Sequence, residues 1–137
     1  MVDVESLARL SLFADLAMPD LELIAHAVDE QRYDRGTKVL RAGLSGNSFY
    51  IILDGEARVL VDSTERARLR AGDFMGEISI LTGVPVIADV VAASEELRCA
   101  VLAGPELKPM LMRYPHVAIR MLELGARRLR ATTLWEG

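Results

Sequence analysis

The hydrophobic period of the chain changes twice. In "SLARLSLFADL", residues 6–16, Leu7, Leu10 and Phe13 recur at helical spacing, which predicts a first short helix. "MPDLELIAHAV" predicts a second, with Pro19 in a first-turn position and Leu21, Ile24, Ala25 and Val28 on one side. His26 lies between core positions of that helix and reads as a surface or half-buried side chain rather than a ligand. From about residue 30 the period becomes two. "RYDRGTKVLRAG" reads as short strands broken by Gly36 and Gly43. "SFYIILDGEARVLV" reads as a hairpin, with Phe49, Ile51 and Leu53 on one face, a turn at Asp54-Gly55, and Ala57, Val59 and Val61 on one face of the return strand. In "ERARLRAGD", Ala67 and Leu69 alternate with Arg66, Arg68 and Arg70, a charged stripe of the kind a solvated strand face carries. "PVIADVVAAS" and "ELRCAVLA" add further strands.

The helical period returns near residue 105, with a short proline-bounded helix in "PELKPMLMRYP" and one of about twenty residues after Pro115. His116 falls in the first turn of that long helix. The whole predicts a mainly β chain with flanking helices: an antiparallel roll of about eight strands between helical ends. Residues 1–137 form a single domain, with N-terminal helices over 1–29, the roll over 30–103 and C-terminal helices over 104–137.

Composition narrows the class. A hydrophobic fraction of 51% is ample for a core and excludes disorder. The sequence contains no apolar run long enough to span a membrane, and "MVDVESLARL" lacks the basic and apolar blocks of a signal peptide, so the expectation is a cytoplasmic protein. A net charge of −4 argues against a general nucleic-acid binder. The lone Cys99 excludes an internal disulfide and a multi-cysteine metal site, and its alternation with Leu97 and Val101 points it at a core. Metal enzymes built on small β-rolls need clustered histidines and a carboxylate, whereas His26 and His116 both fall in helical segments. With no nucleophile paired to a base, no metal set and no cofactor motif, the chain reads as a non-enzyme.

One stretch carries chemistry: "GDFMGEISILTGVPVIADVV", residues 72–91. It has the glycines and short helix start of an anion-binding loop, yet contains no Lys or Arg. Gly76 permits close backbone approach, and a helix beginning near Glu77 would aim the N–H groups of Ile78 and Ser79 outward. Glu77 is also a residue that a helix start favours for its dipole alone. Together with "GLSGNSFYIILDGEARV", this stretch resembles the cyclic nucleotide-binding domain, the regulatory module of catabolite-activator-type transcription factors, cAMP-dependent kinase regulatory subunits and gated channels. The first segment is similar to the family's G-x-x-G-(D/N)-x-x-(Y/F) pattern, the second to its phosphate-binding cassette.

The resemblance implies that Gly76, Glu77, Ile78 and Ser79 line the ligand, with Glu77 accepting a hydrogen bond from a ribose 2′-hydroxyl. It also implies an arginine after the proline, to pair with the cyclic phosphate. Here Pro85 is followed by Val86 and Ile87, and the later Thr or Ser of the pattern is Asp89. Arg41, Arg58, Arg127 and Arg130 are the candidates for a replacement cation. Thr132 and Thr133 stand where some cAMP-binding members place hydroxyls against the base; threonine in the last turn of a helix is also an ordinary surface feature.

The expected function is a stand-alone sensor module with weak or no binding of cAMP or cGMP, its pocket holding a small molecule of altered chemistry. The alternatives are a partner-binding or dimerisation module with a vestigial pocket, and the sensor half of a longer transcription regulator. Ala118, Leu122, Gly125, Leu129 and Thr132 form a 4-3-4-3 seam, which predicts a homodimer through residues 116–134. Regulators of the family carry a helix-turn-helix after the long helix, so no nucleic-acid binding is expected of residues 1–137 alone.

Overall fold

The computed structural model describes residues 1–44 and 46–136, with side chains through Arg130. Three helical pieces open the chain: α1 (Val4–Ala8), a 3-10 turn (Ser11–Phe13) and α2 (Met18–Ala27). Then come β1 (Asp29–Asp34), β2 (Lys38–Leu40), β3 (Ser48–Asp54), β4 (Glu56–Val61), β5 (Thr64–Arg70), β6 (Phe74–Met75), α3 (Glu77–Thr82), β7 (Asp89–Ala92) and β8 (Glu96–Ala103). Helices α4 (Gly104–Arg113) and α5 (Pro115–Glu136) close it.

The single helix expected over residues 6–16 is broken in two. Leu7, Leu10, Leu12 and Phe13 are all buried. Residues two apart on an α-helix point about 200° apart around its axis, so a continuous helix would bury Leu10 and expose Leu12. Leu10 instead takes an extended conformation and the chain rewinds as a 3-10 turn, bringing both inside.

The strands form two antiparallel four-stranded sheets, ordered β1-β8-β3-β6 and β2-β7-β4-β5. This is the β-roll with helices at both ends that the alternating pattern predicts. Two cores result. Between the sheets lie Leu40, Ile52, Ala57, Leu69, Val90, Leu97 and Cys99. Between the first sheet and the helices lie Phe13, Ile24, Phe49, Ile51, Phe74, Leu102, Leu107 and Val117. Burial pushes the Cys99 thiol up to about 12, so it stays protonated and serves as packing.

The hairpin expected at Asp54-Gly55 does not form. β3 pairs with β6 and β8, while β4 pairs with β5 and β7. Gly55 is therefore the corner at which the chain leaves one sheet for the other. Its φ is +95°, and a Cβ there would lie 2.6 Å from the Glu96 carbonyl oxygen. The reason lies in β3 itself: Phe49 and Ile51 face the helices while Ile52 faces the roll, so both sides are covered and the partner strands must come from elsewhere. The true tight hairpin joins β4 to β5. Val61 pairs with Thr64, and Asp62 and Ser63 take φ of 50° and 66°, the two left-handed residues of a type I′ turn. The arginine stripe beyond it, Arg66, Arg68 and Arg70, is exposed as expected, and two of its members carry ion pairs: Arg68 with Glu65 at 3.2 Å and Arg70 with Glu56 at 3.1 Å.

Gly55→Ala should cost on the order of 2 kcal/mol, since it combines a left-handed φ with a carbonyl clash. Urea denaturation checks this; a loss below half that size would mean that the corner relaxes freely.

Candidate functional site

Strand β6 is two residues long, yet it sets the site. Tyr50 pairs with Met75 and Ile51 with Phe74, and the next residue, Gly76, turns with φ 92° to cap α3. A Cβ on Gly76 would lie 2.5 Å from the Ser48 carbonyl oxygen, so only glycine fits. Gly83, φ 75°, ends α3 after six residues.

Glu77 opens α3 with its side chain half-buried. Burial pushes its carboxyl above the ordinary carboxylate range, and its own N–H and the Arg128 guanidinium pull in the opposite direction. Arg128 is the residue that sequence reasoning missed. It reaches from α5, donates to the Phe74 carbonyl oxygen at 3.1 Å, stands 3.7 Å from an Asp73 carboxylate oxygen, and lies over the Phe74 ring at 5.0 Å. A signal for it exists: Val117, Met121, Leu124 and Arg128 follow a 4-3-4 spacing, so Arg128 continues the inward face of α5. Of the four arginines considered from sequence, Arg58 is held by Glu65 on the outer face of the roll, and Arg41 stands beside Asp89. Arg127 and Arg130 are exposed.

Ser79 is buried, and its Oγ accepts the Gly46 N–H at 3.0 Å. Val86 packs against the core of the roll. Its N–H donates to the Leu44 carbonyl at 3.0 Å, and its carbonyl accepts the Gly43 N–H at 2.7 Å. Ile87, by contrast, is 80% exposed and Ile78 67% exposed, so neither side chain is buried in the fold. Asp89 accepts the Ala42 N–H at 2.8 Å and lies 3.4 Å from the Lys38 ammonium. That N–H, then Lys38 and Arg41, hold its carboxyl below the ordinary range. The structure thus brings Ser79, Val86 and Asp89 together with Ala42, Gly43, Leu44 and Gly46, while Gly76 lies against Ser48 and Glu77 follows it at the start of α3. The side chains of Thr132 and Thr133 lie outside the described residues.

Residues 30–114 match the Cyclic nucleotide-binding domain family, and the chain belongs to that family. It is similar to a putative potassium channel protein of Rhodopseudomonas palustris, 31% identical over 90% of the chain but only 30% of that relative's length. A cyclic nucleotide-binding domain from Methylobacillus flagellatus matches with 28% identity and a TM-score of 0.80, over 94% of this chain and 77% of that one. The catabolite activator protein of Thermus thermophilus matches with 28% identity and a TM-score of 0.75, over 90% of this chain and 60% of that one. These matches are to regulatory rather than catalytic domains. Among the described residues no helix is long and apolar enough to cross a membrane.

Because burial raises the folded-state pKa of Glu77, the folded protein holds that proton more tightly than the unfolded chain. Stability is therefore lost as pH rises from the ordinary carboxylate value through the raised one. Glu77→Gln should raise the melting temperature at neutral pH and change it little near pH of about 4. Equal shifts at both pH values would show that the carboxylate carries no burial cost.

Proposed function

We propose that the chain is a regulatory sensor module in which cAMP and cGMP bind weakly. The observation that carries this reading is Val86. It stands where the family pattern places a phosphate-pairing arginine, its side chain packs against the core of the roll, and its backbone is tied to Gly43 and Leu44. Removing one partner of a buried ion pair costs about 2–5 kcal/mol, a factor of roughly 30 to several thousand in affinity. Calorimetry with cAMP and cGMP should give dissociation constants at least about 30-fold weaker than those of arginine-bearing members. Low-micromolar affinity would overturn the reading. Val86→Arg with Ile87→Ala and Asp89→Thr should recover binding. Since Asp89 also holds Ala42, the pair lacking Asp89→Thr is the cleaner first step.

A second reading, a homodimer through residues 116–134, is favoured by the two-sidedness of α5. Val117 and Met121 are buried on the chain's own core, while Leu122 is 73% exposed and Leu129 69% exposed on another side. Leu122→Glu with Leu129→Glu would place like charges across a parallel pairing and should give a folded monomer. Light scattering reads the result; a wild-type monomer, or a double variant still dimeric, would remove α5 as the interface.

A further inference from the structure

We propose that a second binding site lies in the cleft between the N-terminal helical pieces and the end of the first sheet, and that it takes a small zwitterion, with an ammonium and a carboxylate on one molecule, as in an amino acid or a short peptide. The inference goes beyond the reading of the cassette and does not depend on it. Three observations carry it.

First, the cleft has room. Its volume is about 580 Å³, and small-molecule sites run from roughly 300 to 1,000 Å³. The N-terminal pieces supply Ser6, Arg9 and Ser11, and the strands supply Asp54 at the end of β3 and Arg98 on β8. Leu53 also lines it and packs against the helix-side core, so the cleft opens on the side of β3 opposite Ile52 and the core of the roll. None of residues 76–89 lines it. At the turn between β5 and β6, a Cβ on Gly72 would meet nothing within 4 Å, so the backbone borders open space there.

Second, the charges lining the cleft leave one of each sign without a partner. Arg98 is taken: it donates to Glu30 at 2.9 and 3.4 Å, a half-buried pair. Among the described residues, the side chains of Arg9 and Asp54 have no hydrogen-bond or ion-pair partner. Asp54 acts on Arg98 only across space and after Glu30. The Asp3 carboxyl is lowered first by Glu5, then by Ser6 and least by Arg9, so it does not occupy that guanidinium.

Third, this remaining pair selects the ligand. A molecule of negative charge alone would be attracted by Arg9 and repelled by Asp54, and one of positive charge alone would meet the reverse. A zwitterion is complemented at both ends. The guanidinium only donates hydrogen bonds, as a ligand carboxylate requires, and the ionised Asp54 only accepts them, as an ammonium requires. The Ser11 hydroxyl, which can donate or accept, and the half-buried Leu53 serve the rest of such a molecule.

Calorimetry on the wild-type chain with the protein amino acids and a set of dipeptides tests this, followed by the carboxamide and the N-acetyl derivative of the tightest binder. At least one zwitterion should bind with a dissociation constant of about 1 mM or tighter, and each derivative, which lacks one of the two charges, should bind roughly tenfold more weakly. Arg9→Gln should weaken the zwitterion roughly tenfold and leave the carboxamide unchanged; Asp54→Asn should weaken it as much and leave the N-acetyl derivative unchanged. Both positions are exposed, and circular dichroism checks the fold of each variant. The comparison of derivatives needs the wild type alone, so it holds whether or not a variant folds. No binding up to about 10 mM would overturn the inference. So would derivatives that bind as tightly as their parent, or zwitterion binding that survives both substitutions.

Discussion

Two residue pairs, Tyr50 with Met75 and Ile51 with Phe74, tie the cassette to the sheet, and most of the molecule's organisation passes through them. Phe74 belongs to the core under the helices, where its ring stands 5.9 Å from that of Phe49. Met75, one residue on, faces the other core, between the sheets. Gly76 follows with its backbone hard against Ser48. Three consecutive residues therefore fix the helix-side core, the core of the roll and the start of α3. Arg128 then lies over the Phe74 ring, so the long helix is referred to the same point. Interiors packed this closely transmit displacement rather than absorb it.

The change of period from 3.6 to 2 and back made the fold class legible, because a sheet half-covered by helices imposes that alternation on every strand except the central ones. β3 is such a strand, and there the pattern misled. "SFYIILD" reads as one half of a hairpin, yet covering on both faces makes it a centre strand and sends the chain through Gly55 into the other sheet. Pairing between strands distant in sequence leaves no local mark. The real hairpin turn, Asp62-Ser63, lacks the glycine that would announce it. The break near Leu10 is likewise tertiary in origin, since it arises from the demand that Leu10 and Leu12 both be buried.

At the site, the glycines, Glu77 and a cassette without Lys or Arg were all visible, since each is a matter of residue type at a fixed spacing. What surrounds them was not. Asp89 shows in the sequence only as a departure from the pattern's Thr or Ser; in the fold it clasps Ala42 and pairs with Lys38. Arg128 was hidden among four arginines within eleven residues of α5, and only the helical phase of its buried face distinguishes it.

Around Val86 the contacts are mutually consistent: a Cβ on Gly46 would lie 3.6 Å from a Val86 methyl, the Gly46 N–H meets Ser79, and Asp89 holds Ala42. Glu77 stands apart from these contacts. Its burial is unfavourable, and Arg128 offsets that only in part, the net shift of its carboxyl remaining upward. Arg128 belongs to α5, so the protonation and hydrogen bonding of Glu77 are linked to the seat of that helix. Arg128 is itself held by Asp73 and the Phe74 carbonyl, so Glu77 meets a guanidinium whose position the residues around β6 already set.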